Sequence, residues 1–255
     1  MSLSQDQTYL YSHYSTTPSD MPGTPTLVLG ATGPAGICVL RELLHRGHPT
    51  IAFVRSPSKV PRELASNPLL EIIKGELSDT TALSQAVAKS QAIISLLGPK
   101  STSVPDPTIY ASFYDVLFGL MRQHRVRCIL AMGTISSALP QDTFSFMRAL
   151  VIVFLRLFAA TAYRSTLTIG EKFQTAAGDD LEWTVFRIFS VTGGADEAAW
   201  KADRGGRVFA GYVGEPRWNT SLKRGALARW LVDGVEKGVG KWVGKLPLVS
   251  SYNSK

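Results

Sequence analysis

Three glycines near the amino terminus have the spacing of a loop that binds a phosphate group. Gly30, Gly33 and Gly36 lie between an apolar run typical of a buried strand and a segment with helical periodicity. Gly30 would permit a tight turn, Gly33 would let the backbone approach a pyrophosphate, and Gly36 would let the helix pack closely on the sheet. Unpaired N–H groups at the start of that helix would then face the anion. The context predicts a dinucleotide site formed by Gly30, Thr32, Gly33, Pro34, Ala35 and Gly36.

The end of the second predicted strand carries the residues that discriminate between the two dinucleotides. NAD-binding proteins usually place a carboxylate there to hold the ribose 2′-hydroxyl. This chain instead has Arg55, Ser56 and Lys59, in a run that contains no acid. A guanidinium can bind a 2′-phosphate through two hydrogen bonds, whereas a carboxylate would repel it. These residues therefore predict NADP(H) as the cofactor, and an ordinary surface arginine is the alternative interpretation of Arg55.

Strands and helices alternate along the chain from residue 26 onward. The predicted strands cover residues 26–29, 51–54, 70–73, 92–97, 128–132 and 183–189. The predicted helices cover residues 80–89, 108–124 and 143–177, in addition to the one after the glycine loop. This alternation predicts an α/β chain with a Rossmann-like, doubly wound parallel sheet and a small C-terminal substrate-binding portion.

In an open parallel sheet, ligands bind at the carboxyl ends of the strands. That rule adds a second group of residues to the predicted cofactor site. They are Leu77, Leu97, Gly98, Met132, Gly133, Arg187 and Phe189. Residues 194–207, which are rich in glycine, alanine and charge, are predicted to form a mobile lid over the substrate cleft.

The bulk composition excludes several classes of protein. With 255 residues, residues 25–255 are predicted to form one domain, and the polar residues 1–24 a flexible arm. The net charge is +7, but the basic residues are scattered, so we expect a phosphate-bearing ligand and no nucleic acid. We expect buried free thiols at Cys38 and Cys128, a cytoplasmic location without an integral membrane span, and no metal.

The apolar stretch ALVIVFLRLFAA, residues 149–160, is broken only by Arg156. It is too short to span a membrane. A buried helix or the face of a homodimer is the favoured interpretation. Lining of a substrate cleft and contact with a membrane surface are the alternatives.

Five motifs in order along the chain carry a family resemblance: VLGATGPAG, VRSPSK, GELSD, AIISLLG and WTVFRIF. The chain resembles the atypical short-chain dehydrogenase/reductases, and most closely the NmrA-like NAD(P)-binding proteins. Its GYVG and SLKRGALA segments, residues 211–214 and 221–228, are similar to the endings of fungal members. The resemblance covers residues 26 to about 250. It implies an NADP-dependent oxidoreductase, a redox-sensing regulator or a natural-product tailoring enzyme.

The resemblance also assigns catalytic residues. In family members with an intact site, a tyrosine protonates the substrate carbonyl oxygen, and a lysine four residues later holds the ribose and assists the tyrosine. Tyr163 matches the tyrosine, but Leu167 stands in the place of the lysine. Thr134 is the best match for the hydroxyl that binds the same oxygen, and Ser136 is a second candidate. Lys172 lies at the wrong angle round the helix to replace the lysine.

Leu167 predicts that Tyr163 is a sluggish acid. The leading hypothesis is an NADP(H)-dependent oxidoreductase that acts on a small-molecule partner, a bulky apolar carbonyl or enone. A non-redox isomerase or cyclase on the same scaffold and an NADP-sensing regulatory protein are the alternatives. Tyr163 itself has a second interpretation, as an anchored core residue.

Overall fold

The computed structural model describes residues 23–99, 101–102 and 104–253. Most of the predicted arm, residues 1–22, therefore lies outside the described residues. The carbonyl oxygen of Thr24 accepts hydrogen bonds from the Thr26 hydroxyl at 2.9 Å and the His48 ring at 3.2 Å. The chain is thus held against the start of the sheet from residue 24.

Ten strands occur among the described residues. They are β1 Thr26–Leu29, β2 Thr50–Val54, β3 Leu70–Lys74, β4 Ala92–Ser95, β5 Cys128–Thr134, β6 Glu182–Ile188, β7 Val191–Thr192, β8 Val208–Gly211, β9 Leu222–Lys223 and β10 Leu248–Ser251. Eight of them form one sheet in the order β3-β2-β1-β4-β5-β6-β10-β8, and β7 pairs with β9 separately. All neighbours in the large sheet are parallel except β10 and β8.

The helices connect successive strands. They are α1 Pro34–His45, α2 Arg62–Ala65, α3 Thr80–Ala88, α4 Ile109–Gln123, α5 Phe146–Phe158, α6 Ala160–Ala176, α7 Glu197–Asp203 and α8 Arg224–Lys237, with 3-10 turns at Pro57–Lys59 and Gly240–Trp242. The predicted Rossmann-like α/β fold is confirmed. The sequence patterns did not reveal β8 and β10, which extend the sheet beyond the six predicted strands.

Two hydrophobic cores sandwich the sheet, because alternate side chains of each buried strand point to opposite faces. One core packs α1 and α8 against the sheet, with Leu40 and Leu227 at its centre. The other packs α3, α4 and α6, with Tyr114 and Phe173 at its centre. This two-sided cover leaves the carboxyl ends of the strands as the edge where a ligand can bind.

The helical stretch predicted for residues 143–177 is divided into α5 and α6 by a break at Ala159. Ala159 leaves the helical region, with φ −144° and ψ 39°, and α5 and α6 are bent by 119°. Among the described residues, no single helix has the length and apolar character needed to cross a bilayer; α5 and α6 pass that test only as a bent pair. The interpretation of α5 as a buried helix is wrong, because none of its residues is buried, whereas its interpretation as a homodimer face stays a prediction.

The mobile lid predicted at residues 194–207 is wrong as well, because this segment contains α7 and packs against α1. The Trp200 indole and the Arg204 guanidinium both donate hydrogen bonds to the fully buried Glu42 carboxylate. Burial alone would raise the pKa of Glu42, but the hydrogen bonds from Arg204 and Arg46 outweigh it and hold that pKa below its usual range.

Both cysteines are free thiols. Cys38 is buried as predicted, whereas Cys128 is only half-buried. Burial raises the pKa of each thiol to about 11, so both are protonated at neutral pH and poorly nucleophilic.

Candidate functional site

The glycine loop between β1 and α1 has a backbone that requires glycine at two positions. Gly30 has φ +77°, and a Cβ placed on it would lie 2.9 Å from the Leu96 carbonyl oxygen. A Cβ on Gly36 would lie 2.4 Å from the Gly30 carbonyl oxygen. The Gly33 N–H donates to that same Gly30 oxygen at 3.0 Å, which closes the turn. The loop therefore runs close to both β4 and its own helix.

The start of α1 fits an anionic group. Gly33 is the N-cap residue, Pro34 occupies the first turn, and no side chain caps the helix. The bond from the Ile37 N–H to the Gly33 carbonyl, at 2.9 Å, closes the first turn, and an α-helix leaves the N–H groups before it without intrahelical partners. A Cβ on Gly33 would have only the Gly30 oxygen nearby, at 3.4 Å, so the approach is open. These features fit a dinucleotide pyrophosphate.

Replacing Gly36 with alanine should test this loop. We expect the clash with backbone atoms to destabilise the fold by about 1–3 kcal/mol and to weaken NADPH binding by roughly tenfold. Urea unfolding and fluorescence titration measure the two effects. Gly119→Ala in α4 is the control, because a Cβ there meets nothing within 4 Å. It should raise stability slightly. A Gly36→Ala protein that bound NADPH with wild-type affinity would remove the loop from the site.

A cavity of about 430 Å³ opens at the carboxyl ends of β2 and β3. It is lined by Arg55, Lys74, Gly75, Glu76, Ser78 and Asp79. Arg55 thus lies where the sequence predicted it, but Ser56 and Lys59 are not among the lining residues. Lys74 was missed, although its place at the end of β3, opposite Val54 in β2, is where a parallel sheet collects ligand contacts.

The cavity contains charges of both signs. Arg55 and Lys74 are exposed cations that could hold a phosphate. The Asp79 carboxylate accepts the Ala82 N–H at 2.9 Å and so caps α3. Glu76 is exposed and could accept a ribose hydroxyl. The site therefore fits the adenosine end of NAD(P), because its lining includes two cations and a carboxylate that could accept a hydroxyl.

Contacts along the strand ends connect the glycine loop to β5. The Tyr110 hydroxyl donates to the Gly98 carbonyl at 2.9 Å, and a Cβ on Gly98 would lie 3.3 Å from the Met132 methyl carbon. Burial raises the pKa of Tyr110 although Arg55 opposes this shift, so the hydroxyl is protonated and remains a donor. Leu97 is half-buried and packs against the core on the α4 side. Gly98 and Met132 therefore lie together on the predicted edge.

Three other residues that were predicted to contact the cofactor pack against other parts of the protein. Leu77 is half-buried against the core on the α4 side. Gly133 is buried, and a Cβ on it would lie 2.7 Å from a Val185 methyl group. Phe189 joins a small third cluster with Phe209.

The prediction that Arg187 contacts the cofactor is wrong. Its side chain is fully buried and forms a two-pronged ion pair with Asp142, at 2.6 and 2.8 Å. Its remaining hydrogen bonds go to the carbonyl oxygens of Leu246 and Ser137. Asp142 also accepts the Val213 N–H at 3.1 Å. Arg187 therefore holds the segment after β5 in place.

The end of β5 presents the predicted hydroxyl groups. Thr134 is half-buried, and its hydroxyl oxygen accepts the backbone N–H of Ser136 at 3.3 Å. Ser136 is itself buried, with 5% of its surface exposed. Thr134 is therefore the more accessible of the two hydroxyls.

Tyr163 lies in the first turn of α6, on a helix that contacts the segments after β4 and β5. The Thr161 hydroxyl accepts the Val104 N–H at 3.0 Å, which places this turn against the segment after β4. Gly170 is seven residues after Tyr163 and shares its helix face. A Cβ on Gly170 would lie 3.2 Å from the Ser137 hydroxyl, in the segment after β5. Tyr163 is half-buried, so its ring has a free side.

A cation lies beside Tyr163 that the sequence did not indicate. The Arg156 guanidinium donates a long hydrogen bond of 3.4 Å to the Tyr163 hydroxyl, and its carbon lies 5.5 Å from the ring centroid. Leu167 is half-buried, and Lys172 pairs with Asp115 at 2.9 Å. In one continuous helix, Arg156 would stand about 10 Å from Tyr163 along the axis. The bend at Ala159 brings them together.

The profile of the family described as NAD(P)H-binding matches residues 30–237 of this sequence. The chain belongs to the NAD(P)H-binding family. This NAD(P)H-binding protein also aligns with "Probable pinoresinol-lariciresinol reductase 3" of Arabidopsis thaliana, at 33% identity over 75 residues. The alignment covers 29% of this chain and 24% of that protein, so the chain spans about a quarter of its relative's length.

Solved structures share the fold of this NAD(P)H-binding protein. A short-chain dehydrogenase/reductase (wide type) from Veillonella parvula, in complex with NADP, has a TM-score of 0.68 at 12% identity, over 89% of this chain and 94% of that one. An oxidoreductase from Lactococcus lactis has a TM-score of 0.66 at 14% identity, over 89% and 90%. ChuY, an anaerobilin reductase from Escherichia coli O157:H7, has a TM-score of 0.63 at 14% identity, over 91% and 99%. The predicted resemblance is confirmed for family and fold.

Proposed function

We propose that the chain is an NADP(H)-dependent oxidoreductase of the atypical short-chain type that acts on a bulky apolar carbonyl or enone compound. The observation that carries the proposal is the Arg156 guanidinium beside the Tyr163 hydroxyl. Leu167 was the reason to consider an isomerase, a cyclase or an NADP sensor, because it removes the usual cation. Arg156 returns a cation to the tyrosine from a different helix.

Each residue of the site has a separate role in the proposed reduction. NADPH, when bound along the glycine loop, would supply the hydride that reduces the substrate. The Tyr163 hydroxyl would give its proton to the substrate oxygen, and the Arg156 guanidinium would stabilise the phenolate that remains. The Thr134 hydroxyl would hydrogen-bond the same oxygen. Half-buried Leu97 and Met132 would offer an apolar surface to the substrate.

Arg55 and Lys74 support NADP(H) over NAD(H), since both cations line the cavity at the end of β2 and β3. The solved Veillonella parvula protein that shares this fold contains NADP. A cytoplasmic location and a role in natural-product biosynthesis are part of the proposal.

Arg55→Ala should raise the Kd for NADPH by about tenfold or more, because one charge-assisted, two-pronged contact to the 2′-phosphate is lost. Binding of NADH should change little. Fluorescence titration with both cofactors measures the effect. Lys59→Ala is the matched control, since it removes a nearby cation that does not line the cavity. Equal weakening of NADPH and NADH in Arg55→Ala would contradict the 2′-phosphate assignment.

The activity itself is tested by incubating the protein with NADPH and a panel of apolar ketones and enones while the absorbance of the reduced nicotinamide is followed. Oxidation that depends on one of these compounds supports the proposal. Tight NADPH binding without oxidation by any of them would favour the sensor, or non-redox chemistry on the same scaffold.

A further inference from the structure

Helix α5 presents an apolar stripe on the surface of the protein. The stripe consists of Phe146, Met147, Leu150, Val153, Phe154, Leu157 and Phe158, and Phe144 precedes it. Their spacing follows one face of a helix. Phe144 is 84% exposed and Leu157 is 71% exposed. Soluble surfaces rarely leave so many large apolar side chains together unless another surface covers them.

The stripe is held outward by the opposite side of the same helix. Arg148 lies on that side, and its Nε donates to the Ile135 carbonyl oxygen at 2.9 Å. It also approaches the Asp142 carboxylate at 3.5 Å. The Ser145 hydroxyl accepts the Arg148 N–H and caps the helix. The base of α5 is therefore tied to the rigid segment that Asp142 and Arg187 hold, and its apolar face is directed away from the protein.

The chain segment that contains the stripe carries charges of one sign. Residues 143–170 contain three arginines and no aspartate or glutamate. Arg156 and Arg164 are exposed, and Arg156 projects from the flank of the stripe. Bulky aliphatic and aromatic side chains on one face with arginines beside them are typical of helices that lie in the interface of an anionic bilayer.

We propose that the α5 stripe docks on an anionic lipid bilayer surface, with its apolar side chains at the level of the acyl chains and Arg164 against lipid phosphates. A second copy of the chain fits the stripe less well. Pairing two stripes would bring arginines towards each other, with no carboxylate in residues 143–170 to offset them. Lipid headgroups supply the missing negative charge.

The experiment is co-sedimentation of the full chain with phosphatidylcholine vesicles, with and without phosphatidylserine. We expect binding that requires phosphatidylserine and weakens as salt is raised. The double variant Leu150→Glu/Phe154→Glu should bind at least about tenfold more weakly, because each change removes a buried apolar group from the lipid. Arg164→Glu should lower the response to phosphatidylserine. Val243→Glu, at an exposed apolar residue outside the stripe, is the matched control and should bind like the wild type.

Light scattering of the same proteins without lipid measures their oligomeric state. It therefore decides whether the stripe binds a lipid bilayer or a second copy of the chain. A wild-type dimer that the double variant converts to monomer would overturn the proposal and make the stripe a subunit interface. Failure of the wild type to bind phosphatidylserine vesicles would also overturn it. So would equal binding by the wild type and a double variant whose circular dichroism shows a native fold.

Discussion

Tyr163→Phe should lower kcat for reduction of the best carbonyl substrate by at least about 100-fold, the usual contribution of a positioned proton donor. The Kd for NADPH should stay within about twofold, because the hydroxyl's hydrogen-bond partner is Arg156 and the ring is retained. Steady-state kinetics and fluorescence titration separate the two quantities. A fall in kcat without a change in cofactor binding is the signature of a group that acts on the reacting atoms.

Substitutions of Arg156 extend this test to the cation. Arg156→Leu should lower kcat by about tenfold, since the phenolate would lose its neighbouring charge, and Arg156→Lys should recover part of the loss. Tyr252→Phe is the control, because this ring packs under Arg207 at 3.9 Å and belongs to another part of the molecule. An unchanged kcat in Tyr163→Phe would remove Tyr163 from the mechanism. The non-redox hypotheses would then be favoured.

Asp142→Asn should destabilise the protein by about 3–5 kcal/mol at pH 7. The substitution keeps the shape of the side chain but leaves the buried Arg187 guanidinium without its counter-charge. Arg148, at 3.5 Å, would lose the same partner. Urea unfolding measures the difference. Asp115→Asn, at an exposed pair with Lys172, is the control and should cost less than about 1 kcal/mol.

The pH dependence gives this prediction a second readout. Burial would raise the pKa of Asp142, but the hydrogen bonds and charge of Arg187 outweigh burial and hold the pKa below its usual range. The stability it contributes is therefore fully present above the unfolded pKa, about 3.9, and is lost as pH falls through the lower folded value. Asparagine does not titrate, so the gap between variant and wild type should narrow in acid. An Asp142→Asn variant as stable as the wild type at pH 7 would contradict the stabilising role of the ion pairs that Asp142 forms with Arg187 and Arg148.

The residues at the carboxyl edge of the sheet were predicted correctly in position where that position depends on neighbouring residues in the sequence. The glycine loop depends on backbone constraints within seven residues, and Gly30 and Gly36 meet them with a positive φ and a close approach to backbone. Parallel strands have their carboxyl ends on the same edge of the sheet, so Arg55 and Met132 also lie near that edge, as predicted. Lys59 lies at the end of the 3-10 turn Pro57–Lys59, and its contact with the cofactor stays a prediction.

The sequence by itself determined the fold class and the position of the glycine loop, because short apolar runs, helical periodicity and glycine spacing act over a few residues. Tertiary structure alone decided three other things. Arg187 became a buried structural residue because Asp142, 45 positions away, neutralises it. Arg156 reached Tyr163 because Ala159, which has no helix-breaking side chain, leaves the helical conformation where α6 turns onto α4. The same bend carried the apolar face of α5 to the surface. Each outcome depends on residues that are distant in the sequence and form an ion pair or pack together only in the folded chain. A pattern of neighbouring residues cannot predict such contacts.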